Sequence, residues 1–224
     1  DVHAWDDIAL RKSAENGHTD VVKLLLDRGA YVDAKFSEAL RSSTKNGHTD
    51  VVKLLLFHHQ DINYAFVWSA EYGHVDVVKL LLDRGANMHA WDDIALRKSA
   101  KNGHTDVVEL LLNHDAYIDS DAEDYALIES AKNGHVDVVR LLLDHGADVH
   151  VQGDEALRWS ALKGHVEVVR LLLDRGANVH AQNNAALRRS AEYGHDDVTK
   201  LLLEQSLRSY ARLLSEYRDY IPKD

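Results

Sequence analysis

A chain of 224 residues, 45% hydrophobic and 28% charged, is long enough to bury a core, and it has no apolar run approaching the roughly 18 residues of a membrane span. Its formal charge of −11 works against a nucleic-acid backbone as the main partner, because that contact needs clustered lysine and arginine; a basic protein surface is the easier match. With no cysteine, neither a disulfide framework nor a thiolate site is available, and a reducing compartment is permitted.

The residues HAWDDIALRKSA at 3–14 recur unchanged at 89–100. A Gly-His pair sets the period behind this duplication: Gly17-His18, Gly47-His48, Gly73-His74, Gly103-His104, Gly134-His135, Gly164-His165 and Gly194-His195, in steps of 30, 26, 30, 31, 30 and 30. Seven repeats result, at about 1–30, 31–60, 61–86, 87–116, 117–147, 148–177 and 178–204. A period of this size marks an architecture in which each repeat buries its faces only against its neighbours. Asp1 stands inside the first repeat with no Met before it, so the chain is expected to start at an imposed boundary, where a targeting signal would be invisible.

Each repeat opens with a helix whose start is signalled by a strong N-cap type one residue before x-Ala-Leu: Asp7, Ser37, Asp93, Asp124, Asp154 and Asn184, with Asn63 in that place in repeat three. Four arginines follow four residues later, pairing Asp7 with Arg11, Asp93 with Arg97, Asp154 with Arg158 and Asn184 with Arg188. As helix-surface pairs these are worth about 0.3–0.5 kcal/mol each. In the second helix, VVKLLL or VVRLLL covers too much of the circumference for a surface element, which predicts burial on more than one side. An acid such as Asp20, Asp76 or Glu167 suits its positive end, and Gly29, Gly85, Gly146 or Gly176 predicts a left-handed C-terminal cap. Connectors such as GANVHA are short, polar and turn-like, with few apolar residues to bury, and are expected to project as fingers.

Two repeats break the pattern. In repeat three QDINYAFVW lacks four residues and FHHQ replaces DRGA just before it, which predicts a shortened finger and a change of curvature near residues 56–66. Repeat five carries one extra residue in YIDSDAEDY, with Asp115 where a glycine is usual. After Leu203 no Gly-Ala follows; Leu203, Leu207, Tyr210, Leu214, Tyr217 and Ile221 instead share one helix face. Residues 205–224 are therefore expected to form a C-terminal capping helix and tail over repeat seven, with partner docking as the alternative.

Fifteen histidines invite a metal or catalytic reading. Seven are the Gly-His residues, whose recurrence points to structural hydrogen bonding. His3, His89, His150 and His180 share one connector position, and equivalent positions in stacked repeats lie about 8–10 Å apart. Ligands of one zinc, each about 2.0–2.1 Å from it, cannot be so separated. His58, His59, His114 and His145 are scattered over ends of second helices. No metal, cofactor or catalytic constellation is expected, and the glycines are used in turns rather than in a phosphate loop.

The runs NGHTDVVKLLLDRGA, YGHVDVVKLLLDRGANMHA and KGHVEVVRLLLDRGANVHA resemble the ankyrin repeat, and the resemblance covers residues 1 to about 204. It implies an all-α ankyrin-repeat solenoid of seven stacked helix-turn-helix repeats. The chain departs from the family where Thr-Pro-Leu-His is usual: it has IALR, EALR or AALR, and its repeat is three residues shorter, so the Asp or Ser cap with its arginine is expected to replace the missing Thr-His bond. Shortened ALR repeats are similar to arrays encoded by giant DNA viruses of amoebae, which implies a viral protein at work in a host cell.

The resemblance further implies a non-catalytic scaffold, monomeric and cytoplasmic, that meets a partner protein rather than nucleic acid or membrane. Its alternative role is the recognition part of a larger effector such as a ubiquitin-ligase adaptor. Partners of the family usually meet the concave face, built from fingers and the ends of first helices. Here the fingers offer Trp5, Asp6, Trp91, Asp92, Asp121, Glu123, Gln152, Glu155, Gln182 and Asn183, and the helix ends offer Glu15, Lys45, Tyr72, Lys101, Lys132, Lys163 and Tyr193. Trp5 and Trp91 either act as binding hot spots or lie flat against the next finger, whereas Trp68 and Trp159 are expected to pack the stack.

Overall fold

The structure, a computed structural model, describes residues 2–56, 62–114 and 120–218. Among these residues the chain is wholly helical. It divides into two blocks, Asp1–Ala122 and Glu123–Asp224. The first block holds α1 (Ala4–Glu15), α2 (Thr19–Asp27), α3 (Ala34–Lys45), α4 (Thr49–Leu55), α5 (Ile62–Glu71), α6 (Val75–Asp83), α7 (Ala90–Lys101) and α8 (Thr105–His114). Next, α9 (Ser120–Asn133) lies mostly in the second block, which continues with α10 (Val136–Asp144), α11 (Val151–Lys163), α12 (Val166–Asp174), α13 (Ala181–Glu192) and α14 (Asp196–Arg218). Inside the first block, α1, α3, α5 and α7 form one layer and α2, α4, α6 and α8 another, each first helix packed on the second helix of its own repeat. The second block repeats this scheme, with α11 and α13 against α10, α12 and α14.

The triple-leucine helices are buried as their sequence predicts. On α12, Val168, Val169, Leu171, Leu172 and Leu173 are all buried, more than one face of the helix, and each large apolar side chain contributes about 1.5–3 kcal/mol. A buried serine recurs in the first helices, Ser43, Ser69, Ser99, Ser130, Ser160 and Ser190, where a larger side chain would push helices apart. Its hydroxyl donates to the carbonyl three residues back, as in Ser160 Oγ to Leu157 O at 3.1 Å.

Both helices of a repeat close in the same way. His18 N–H donates to Ser13 O at 2.9 Å and Gly17 N–H to Ala14 O at 3.3 Å; in the same pattern Ala30 N–H reaches Leu25 O at 3.0 Å and Gly29 N–H reaches Leu26 O at 2.9 Å. These are Schellman motifs, whose penultimate residue must be left-handed, and Gly17 and Gly29 have φ of +73° and +86°. The Gly-His imidazole then joins neighbouring repeats. His48 Nε2–H donates to Glu15 O at 3.0 Å, His104 to Glu71 O at 2.9 Å and His195 to Leu162 O at 2.8 Å. A carbonyl only accepts, so each ring carries a proton on Nε2. The same rings lie on the preceding glycine: a Cβ on Gly17 would stand 2.6 Å from His48 Nδ1, and one on Gly164 would stand 2.6 Å from His195 Nδ1. The structural role expected of these histidines is thus met by a backbone bond on one edge and a glycine contact on the other.

The connectors differ from the expected polar fingers. Their few apolar residues, among them Ala30, Val32, Met88, Ala177 and Val179, are buried, so the connectors are anchored in the core as well as projecting from it. The expected change of curvature near residues 56–66 rests on residues 57–61, and the extra residue of repeat five on 115–119; both stretches lie outside the described residues. At the C-terminal end, α14 runs unbroken through residue 204. Ser206 stands where repeats one, three, five and six have the left-handed Gly29, Gly85, Gly146 and Gly176, so nothing stops the helix of repeat seven from continuing.

Candidate functional site

The finger tips are built on an unusual backbone. Trp5, Asp6 and Asp7 have φ of +57°, +56° and +52°, and the same run of three recurs at Trp91–Asp93, Gln152–Asp154 and Gln182–Asn184, with Ser37 at +59°. Each run is a turn of left-handed helix, costing about 1–2 kcal/mol per residue that is not glycine and least for Asp and Asn, which fill most second and third places. The expected N-caps Asp7, Ser37, Asp93, Asp154 and Asn184 are therefore not caps; each is the third residue of such a turn or, for Ser37, its positive-φ equivalent.

The side chains of Asp7 and Asp154, and of Asn63 and Asp124 at the same place, act between repeats instead. Asp7 Oδ1 accepts from Tyr31 N–H at 3.1 Å, Asn63 Oδ1 from Asn87 N–H at 2.8 Å, Asp124 Oδ1 from Asp148 N–H at 2.8 Å and Asp154 Oδ1 from Asn178 N–H at 2.7 Å. Every one of these bonds spans 24 residues and ends in the next connector. The connector histidine four residues earlier braces the same oxygen: His3, His89, His150 and His180 Nδ1 lie 3.1, 2.8, 3.1 and 2.8 Å from Asp7, Asp93, Asp154 and Asn184.

The expected pairing of these acids with arginine is corrected in the same way. Arg11 donates from Nη2 to Trp5 O at 3.0 Å and from Nε to Asp6 O at 3.0 Å; Arg97, Arg158 and Arg188 donate to Trp91, Gln152 and Gln182 O at 3.2, 3.0 and 3.4 Å. The guanidinium, a fork of donors one helical turn later, thereby closes on the carbonyls of the left-handed turn. The acid thus ties adjacent repeats, and the arginine holds the turn.

With the backbone so held, Trp5 is 83% exposed and Trp91 is 46% exposed. Trp91 packs against the preceding repeat: its ring centroid is 4.6 Å from that of Tyr64 on α5, which is 5.8 Å from Trp68. Tyr64 is itself 49% exposed, so repeats three and four present an open aromatic stack. Sequence reasoning missed Tyr64, which stands directly after Asn63, where five other repeats carry Ile8, Glu38, Ile94, Glu155 or Ala185 and repeat five carries Tyr125.

Among the other candidates of the first block, Asp6, Asp92, Lys101 and Asp121 are exposed, and Tyr72 receives the Lys45 ammonium 5.3 Å from its ring centroid. In the second block Gln152, Gln182, Asn183, Lys163 and Tyr193 are exposed. Gln182 lies against Gly153, while Glu155 accepts from Trp159 Nε1 at 2.8 Å and Lys132 stands 4.7 Å over the Trp159 ring. Glu155 and Lys132 are thereby brought together around one tryptophan, in keeping with its expected place in the stack.

Glu123 holds its carboxyl above the ordinary value of 4.5, because burial disfavours its charged form; His145 pulls the other way and Asp124 adds to the rise. Since the folded form holds the proton more tightly, this group's stabilising contribution is full below pH 4.5 and is lost as the pH climbs through the raised value. Glu123→Gln is expected to flatten that decline, and thermal melts of both proteins from acid to neutral pH check it; parallel profiles would contradict the assignment.

Among the described residues no three His, Asp or Glu side chains gather as metal ligands do, and no helix is long and apolar enough to cross a membrane.

Comparison with known proteins agrees with this geometry. The family model for ankyrin repeats matches three times, over residues 1–66, 66–153 and 150–212, and the chain belongs to the ankyrin-repeat family. Among solved structures, the human ASB11 ankyrin repeat domain is similar to it, at 26% identity and a TM-score of 0.76, over 88% of this chain and 96% of that one. None of the curated proteins compared matches the chain. The fold is an ankyrin-repeat solenoid, of a kind that generally mediates protein–protein contacts and is typically non-catalytic.

Proposed function

We propose that the chain is a protein-binding scaffold without catalysis, and that its finger tips and first-helix ends meet the partner. The observation that carries this reading is the open aromatic surface of Trp5, Tyr64 and Trp91, the two tryptophans standing on turns whose carbonyls are held by Arg11 and Arg97. Large, rigid rings beside exposed carboxylates such as Asp6 and Asp92 suit a partner surface with basic character, as does the charge of −11.

Affinity capture from cells of the source organism, with the native protein and with Trp5→Ala plus Trp91→Ala, tests it. The double variant is expected to recover about tenfold less of the partner while melting within a few degrees of the parent. Equal recovery would overturn the assignment of these rings.

A further inference from the structure

On α14, Val198 and Leu202 are fully buried in the second block, but the helix continues and its next apolar residues are open. Leu203, Leu207, Tyr210, Leu213, Leu214 and Tyr217 are between 43% and 72% exposed. The residues half-buried along this extension are the polar Gln205, Ser206 and Ser209, and only Tyr210 of the apolar row leans on the block, 4.9 Å from the His180 ring. The extension thus turns its polar side toward its own repeat and its apolar side away from it.

We infer that this apolar face pairs, antiparallel, with the same face of a second copy of the chain. Its period argues for a helix as the occupant. Leu203, Leu207, Tyr210, Leu214 and Tyr217 follow in steps of 4, 3, 4 and 3, the 3.5-residue spacing of a coiled-coil seam, whereas the solenoid helix α12 buries Val168, Val169, Leu171, Leu172 and Leu173 over more than one face.

Charge and shape argue for a second copy in this orientation. Of the positions flanking the seam, Ser206, Ala211 and Leu213 are uncharged, and the antiparallel register sets Glu204 of one copy across from Arg218 of the other, opposite in sign, so a chain of charge −11 meets no like charge at these positions. Antiparallel pairing sets Leu207 opposite Tyr217 and Tyr210 opposite Leu214, a large ring against a smaller side chain in each of these layers. A parallel pair would stack Tyr210 on Tyr210 and Tyr217 on Tyr217, and would bring two acidic repeat blocks side by side. The six side chains offer on the order of 600 Å² per copy, so a symmetric pair buries on the order of 1,200 Å², at the lower edge of specific interfaces, and a dissociation constant on the order of 10 μM is expected. The pair is two-fold symmetric, which closes it as a dimer and opposes the monomer implied by the family resemblance.

Sedimentation velocity on the full chain, from about 1 to 200 μM, tests the inference by bracketing that constant. The native protein is expected to shift from monomer to dimer, and Leu207→Glu plus Leu214→Glu to stay monomeric with unchanged helicity and melting temperature. The chain has no cysteine, so Ala211→Cys provides a single thiol that lies across the two-fold axis only in the antiparallel pair; a short bismaleimide is expected to link it into covalent dimers. A native protein still monomeric at the top of the range, or a double variant that still dimerises, would overturn the pairing. Dimerisation without bismaleimide linkage would overturn the antiparallel arrangement.

Discussion

Gly164→Ala is expected to lower the stability of the second block by about 3 kcal/mol, whereas Gly176→Ala should cost only about 1 kcal/mol. Both glycines are left-handed, with φ of +76° and +97°, so the backbone penalty of an added Cβ is shared. The difference lies in what the methyl would meet. At Gly176 there is nothing within 4 Å, while at Gly164 the new atom would lie 2.6, 2.9 and 3.0 Å from Nδ1, Cε1 and Cγ of His195. The ring must move, and its 2.8 Å bond to Leu162 O goes with it. Urea titration of the two variants measures the gap. A double-mutant cycle adds a second check: with His195→Ala in place, Gly164→Ala should cost little more than the backbone term. Equal losses for the two glycines would mean that the histidine layer does not join the repeats.

Asp154→Ala is expected to cost about 2–3 kcal/mol, and Asp154→Asn less than about 1 kcal/mol. The buried carboxylate accepts from Asn178 N–H at 2.7 Å and faces His150 Nδ1 at 3.1 Å. Alanine abandons both partners and also tolerates φ of +57° poorly. Asparagine keeps the oxygen and the left-handed preference, and the chain already uses it this way: Asn63 receives the corresponding connector N–H and Asn184 the corresponding histidine. Thermal melts of the two variants would distinguish this account from a charge effect, in which both substitutions would be equally harmful.

The helices, their order and their glycine stops were legible because each is written locally, in a 3.6-residue pattern or a left-handed terminus. Asp7, Asp93 and Asp154 were misread for the same reason. An acid before x-Ala-Leu is a helix start by every local criterion, and chirality argues against three left-handed residues in succession; only the N–H supplied 24 residues later and the arginine one turn on make that turn stable. The same limit applies to the candidate site. That Trp5 and Trp91 stand clear of the core could be read from their polar surroundings, but the Tyr64 ring on which Trp91 rests comes from the preceding repeat and obeys no local rule.

The bond from each Asp or Asn to the connector 24 residues on also bears on how such a gene can change. Four junctions share this bond, from an acceptor in repeats one, three, five and six to a connector N–H of the repeat that follows, so a block copied or deleted between such junctions leaves its edges complete. The identical stretches at 3–14 and 89–100 look like the residue of such copying. Selection can then work on tip residues such as Trp5, Gln152 and Gln182 while the couplings stay constant, so that length and surface can vary independently along one lineage.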